Sequence, residues 1–187
     1  MGYHTDFNGT LQFNKEVTEE LKNFINNFSN SRRMKRDNEK IKQCYPNWEE
    51  QCYNGKLGRE GEYFISGTGF MCQGDDNSII DYNRPPITQP GLWCQWIIND
   101  YGELEWDGGE KFYHYVEWLE YLIENFFKPD GYILNGIISY QGEDFGDTGN
   151  IVVVDNYVSV VKNLHTLEDI SDSDLIYELE RRGYKVN

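Results

Sequence analysis

Apolar residues recur every three or four positions in two stretches of this chain. Leu21, Phe24, Ile25 and Phe28 form the first stripe and predict a helix over Thr18–Ser29. Glu16, Glu19 and Glu20 stand at its N-terminal end, where the helix dipole favours acids. Phe112, Tyr115, Val116, Leu119, Leu122, Ile123 and Phe126 form a longer stripe and predict a helix over Glu110–Phe127. Asp107 and Glu110 have the spacing of a capping box before it, and Pro129 and Gly131 end it. Strands are predicted at Gly9–Phe13, Leu92–Asn99, Glu103–Trp106, Tyr132–Gln141, Ile151–Val154 and Tyr157–Val161. Between the last two, Asp155-Asn156 tolerates the positive φ of a type I′ hairpin turn.

Other segments read less regularly. The basic run Ser31–Lys42 either extends the first helix or forms the next one. From Pro46 to Pro90 no period persists, and a long irregular stretch is expected with one short strand near Tyr63–Ile65. Ser171–Arg182 reads as a small helix with Ser171 and Asp174 in a capping pattern and Gly183 as its stop. The expected organisation is one domain over residues 1–162, then a linker and short C-terminal helix over 163–187. The expected fold class is α+β: a mostly antiparallel sheet with two long amphipathic helices packed on it, plus the small C-terminal helix.

Charge changes the picture more than composition does. Residues 1–59 carry ten Lys and Arg against eight acids, and the remainder carries seven against twenty-four, so the formal −15 belongs to the later part. Arg32, Arg33, Lys35, Arg36, Lys40 and Lys42 concentrate the positive charge further. A polyanion would be repelled by the whole-molecule field, so general nucleic-acid binding is not expected. No stretch approaches the ~18 apolar residues of a membrane span. The N-terminus lacks the basic flank and apolar run of a secretory signal, and Asp6 breaks a myristoylation pattern. A cytoplasmic protein is expected. Cys44, Cys52, Cys72 and Cys94 form no CxxC pair and read as scattered thiols.

Four constellations could carry chemistry. Arg32, Arg33, Lys35 and Arg36 place four cations in five residues, and arginine's planar fork suits phosphate oxygens. The bland alternative is a solvated face, or a counter-charge to the acidic body. Tyr3, His4 and Asp6 set a histidine beside a carboxylate, an arrangement usable for proton transfer. His114 and His165 are further lone histidines. Glu143, Asp144 and Asp147 put three carboxylates in one loop, a weak metal candidate without the EF-hand spacing. Asp75, Asp76 and Asp81 invite the same reading with weaker support. Trp93 and Trp106 flank one predicted hairpin and, with Trp96 and Trp118, could stack on a base or pack a core. There is no nucleophile elbow, phosphate loop or HExxH, and neither a catalytic residue nor a cofactor is indicated.

Three stretches resemble a family of uncharacterised phage and bacterial proteins. They are Gly2–Phe7 (GYHTDF), Arg32–Asp37 (RRMKRD), and Gln89–Trp96 (QPGLWCQW) with Leu104–Ile123 (LEWDGGEKFYHYVEWLEYLI). The similarity spans roughly residues 2–160, and the tail Ile170–Tyr184 resembles a short helical appendage found on various other proteins. The resemblance implies a phage or prophage setting, inside a host cell, and brings no activity with it. Two partner classes follow from the charge pattern. One is a host protein with a basic surface, engaged and inhibited without catalysis, a defence factor being one such host target. The other is a small phosphate-bearing, nucleotide-like ligand, bound, sequestered or hydrolysed, with Arg32, Arg33, Lys35 and Arg36 on phosphate, a Trp on the base, and Tyr3, His4 and Asp6 lining the site. Self-association is left open.

Overall fold

The computed structural model describes residues 2–66, 76–144, 146–163 and 176. In chain order the helices and strands are β1 (Thr5–Phe13), α1 (Glu19–Ser29), β2 (Lys35–Arg36), α2 (Asn38–Cys44), β3 (Ile79–Asp81), β4 (Trp96–Ile98), β5 (Leu104–Trp106), α3 (Tyr115–Leu122), β6 (Leu134–Gly142), β7 (Thr148–Val154) and β8 (Tyr157–Lys162). Six strands form one sheet in the order β4-β5-β1-β6-β7-β8, and β2 and β3 form a separate ribbon. Every neighbouring pair is antiparallel. The class is therefore α+β with a mostly antiparallel sheet, as the residue pattern predicts.

Strand β1 is central, running against β6 from Thr5 opposite Gly142 to Phe13 opposite Leu134. The two backbones approach closely at two glycines. Gly9 has φ +116°, and a Cβ there would come 2.6 Å from the Ile137 carbonyl oxygen; Gly136 has φ +144° and faces the Thr10 carbonyl in the same way. The β7–β8 hairpin turns on Asp155 (φ 50°) and Asn156 (φ 68°), which is type I′ geometry.

One face of this sheet is apolar. Phe7, Leu11, Leu134, Ile138, Tyr140, Ile151 and Val153 are buried on it and join one core with Leu21, Ile25 and Phe28 of α1 and Trp118, Leu119 and Leu122 of α3. Rings dominate the joint. Phe7 lies 4.8 Å from Tyr115, Phe13 5.0 Å from Phe127, and Phe28 5.4 Å from Phe126. A second, smaller core of Ile41, Cys52, Leu57 and Phe64 sits under α2 and the short 3₁₀ turns that follow it.

Helix α1 starts where the pattern places it, with Thr18 Oγ1 accepting from Leu21 N at 3.3 Å. The two long helices expected are not found. α1 has 11 residues and α3 has 8, continued by a π-helical turn over Ile123–Phe127. The start moves from Glu110 to Tyr115 because Lys111 (φ 61°) and His114 (φ 57°) are left-handed. The Asp107 carboxylate closes a turn onto Gly109 N at 2.7 Å instead of capping a helix. Phe112 still reaches the core, so the apolar stripe persists although the backbone beneath it is not helical. The strand expected over Leu92–Asn99 shortens to β4. The basic run is not one helix: Lys35 and Arg36 form β2, and Asp37 caps α2, its Oδ1 accepting from Glu39 N and Lys40 N. The expected strand near Tyr63–Ile65 reduces to a single bridge between Cys52 and Phe64. Cys72, Asp75, His165 and, apart from Ile176, the predicted C-terminal helix lie outside the described residues.

Candidate functional site

Within Arg32–Arg36 the arginines differ: Arg33 and Arg36 are buried and Arg32 is partly exposed, while Lys40 and Lys42 further along the run are exposed. Arg33 is 3% exposed. Its guanidinium donates to Ser31 Oγ at 2.7 Å and to the carbonyls of Glu62 and Phe64 at 2.8 and 3.0 Å, and lies 4.1 Å from the Phe28 ring centroid. Arg36 is 4% exposed and donates to Asp76 Oδ2 and Ser78 Oγ, both at 2.6 Å. Lys35 pairs with Glu60 at 2.8 Å. A buried guanidinium needs such partners, because desolvating a charge without them is costly. The partners respond in turn. Burial opposes ionisation of Asp76, but hydrogen bonds from Ser78, Arg36 and Tyr45 outweigh it and hold the carboxyl at about 2.

Arg32 differs from these three. Its Nε donates to the Tyr82 carbonyl and its Nη2 to Asn83 Oδ1, and the guanidinium lies 4.5 Å from the Tyr82 ring and 5.8 Å from the Trp93 ring. Among the described residues no carboxylate lies within ion-pair distance of it, in contrast to Lys35 and Arg36.

Asn83 and Trp93 also line a cavity of about 580 Å³. Pro90 and Leu92 contribute apolar wall, and Tyr113, Lys111 and His114 close the other side. The 110–114 segment takes this path through the left-handed residues Lys111 and His114. Gln95 ties the two walls together: its Nε2 donates to the Glu110 carbonyl at 3.0 Å, and its Oε1 accepts from Trp106 Nε1 at 3.2 Å. Trp106 is therefore part of the support, with its ring 5.5 Å from Phe7 in an edge contact.

Tyr3, His4 and Asp6 come together with the acidic loop, not with the basic run. Tyr3 donates to Asp147 Oδ2 at 2.6 Å and accepts from Asp144 N at 3.3 Å; His4 N donates to Glu143 Oε1 at 2.9 Å. Burial, then the hydrogen bond to Asp147, pushes the Tyr3 hydroxyl up to about 12, so it stays protonated at neutral pH. Lys111 N donates to His4 Nδ1 at 3.5 Å, and the ring's Nε2 faces Asp6 Oδ1 at 3.1 Å. This pair is open to water, with the Asp6 side chain 68% exposed. The loop carboxylates Glu143 and Asp147 thus anchor the N-terminal segment. Among the described residues, no group of three or more His, Cys, Asp and Glu is arranged to hold a metal ion. Cys52 and Cys94 are buried thiols, pushed up to about 12 by desolvation, which disfavours the nucleophilic thiolate.

Of the expected site residues, Arg32 and Trp93 meet at the cavity, and Arg33, Lys35 and Arg36 do not. Lys111, Tyr113 and His114 were missed as lining residues. They lie in a predicted helix, and nothing in a single sequence signals left-handed backbone at Lys or His. No protein-family model, no curated protein and no solved structure matches this chain. No helix among the described residues is long and apolar enough to cross a membrane.

Proposed function

We propose that this chain is a non-catalytic binding protein, phage-encoded, that occupies a basic surface on a host protein and inhibits it. The observation that carries the reading is the inward engagement of Arg33, Lys35 and Arg36. With those cations engaged by neighbouring groups, they do not offset the acidic excess of the later part of the chain. Helix α3 presents part of it. Glu117 and Glu120 are exposed on it at i and i+3, beside the exposed Ile87, and Glu124, paired with Lys128, follows in the π-helical turn. An apolar contact rimmed by carboxylates suits a basic protein surface, and complementary potentials raise the association rate and select the partner. A host defence factor that handles nucleic acid has such a surface.

The test is capture from host lysate at about 50 mM salt on the immobilised protein, repeated with Glu117→Lys/Glu120→Lys. The reading predicts a basic partner that is retained at low salt, released at high salt and lost with the charge-reversed variant. Recovery of no partner at low salt, or capture indifferent to the substitutions, contradicts it. A ligand site built from the whole run Arg32–Arg36 is the weaker reading, because a phosphate would have to displace the internal partners of Arg33 and Arg36.

A further inference from the structure

The cavity between residues 83–95 and 110–114 carries a separate inference. We propose that it binds a small planar aromatic anion, of the class and size of a nucleoside monophosphate. Two observations converge on that chemistry. The first is size and lining: about 580 Å³, with Pro90, Leu92, Trp93 and Tyr113 on its walls. Ligand cavities are mostly apolar and a few hundred Å³, with a few polar groups that fix orientation. Trp93 and Tyr113 offer π-faces, on which any planar heterocycle stacks.

The second observation is charge. Within a molecule of formal net charge −15, this spot gathers cations that are not ion-paired. Lys111 lines the cavity, and Arg32 stands at its rim, bonded to Asn83 Oδ1 and 5.8 Å from the Trp93 ring. Neither has a carboxylate within ion-pair distance among the described residues, unlike Lys35 and Arg36 of the same run. Glu110 lines the cavity as well. Arg32 already presents one edge of its guanidinium to the Tyr82 carbonyl and Asn83. Its remaining N–H groups make no hydrogen bond among the described residues, and the planar fork favours phosphate or carboxylate oxygens.

Unpaired cations and stacking faces ask respectively for an anion and a flat ring. One molecule that carries both is a nucleotide-like ligand.

This site and the acidic surface of α3 fail separately, since one is read by a small probe and the other by a protein partner. The full chain is titrated with 8-anilinonaphthalene-1-sulfonate, a planar aromatic anion with a fluorescence readout, and the dye is then competed with AMP, GMP, CMP and UMP. The neutral N-phenyl-1-naphthylamine serves as the uncharged control. The proposal expects saturable one-to-one dye binding, displacement by at least one nucleotide, and affinity weakened about tenfold or more by Trp93→Leu and by Arg32→Gln/Lys111→Asn. These positions are at or near the surface, and circular dichroism of each variant confirms that it is folded. Equal binding of the neutral dye, no displacement by any nucleotide, or undiminished affinity in both folded variants overturns the proposal.

Discussion

The body built on the six-stranded sheet and the layer formed by residues 31–66 and 76–90 are held by different means. The body is closed by rings and aliphatics: Phe7, Phe28, Trp96, Trp118, Phe126 and Phe127 interlock with Leu11, Leu134 and Ile138. The layer has a small core of its own, in which Ile41, Cys52, Leu57 and Phe64 are buried together. Polar pins hold it together, and one of them, from Tyr121, ties it to the body. Arg33 reaches across to the carbonyls of Glu62 and Phe64, Arg36 to Asp76 and Ser78, and the Glu62 carboxylate accepts from Arg59 N and from the hydroxyls of Thr88 and Tyr121. Directional bonds specify one arrangement but lose strength all at once when a partner is removed, because the remaining group is left buried and unsatisfied.

Substitutions in the two regions should therefore differ in kind. Phe126→Ala removes a ring that contacts Phe24, Phe28, Tyr53, Tyr63 and Tyr121. It should cost ~3–5 kcal/mol in denaturant unfolding, with the whole molecule affected. Arg36→Met strands the Asp76 carboxylate and should cost ~3–4 kcal/mol, but hydrogen exchange should place the loss in residues 35–45 and 76–82. A loss spread evenly over the sheet would erase the contrast. The double variant Arg36→Met/Asp76→Leu should recover most of it, since an apolar replacement of a buried pair is often neutral.

Acid offers a second handle on the same pin. Asp76 is held at about 2, below its ordinary 3.8. Its contribution is complete above the unfolded value and is lost as pH falls from about 4 towards 2. Asp76→Asn should flatten that limb of the stability curve, and an unchanged acid limb counts against the pin. Smaller effects complete the series. Thr18→Ala should cost about 1 kcal/mol by uncapping α1. Lys35→Ala, which breaks only a partly exposed pair with Glu60, should cost under about 1 kcal/mol.

The body was the legible part of this fold. Period and alternation located α1, the β7–β8 hairpin and the strands β1, β5 and β6, because each presents one face to one core. The layer was opaque for a physical reason. Its order comes from contacts such as Arg36 with Asp76, forty residues apart, which leave no period to read. The helix at Glu110 was misjudged because an apolar stripe at 3.6 spacing survives in Phe112 even though Lys111 and His114 turn the backbone left-handed. The same turn hid half of the cavity wall. The basic run was visible as charge, but whether a guanidinium points inward or outward is decided by neighbours that sequence order does not reveal.

The inward and outward arginines are most directly separated by modification of the native protein with phenylglyoxal, mapped by mass spectrometry at short times. Arg84, 82% exposed in its side chain, is the internal standard. The account predicts rapid adducts at Arg84, a slower adduct at Arg32, and none at Arg33 or Arg36 until the layer is unfolded. Adducts forming on Arg33 and Arg36 as fast as on Arg32 in the folded protein would contradict it.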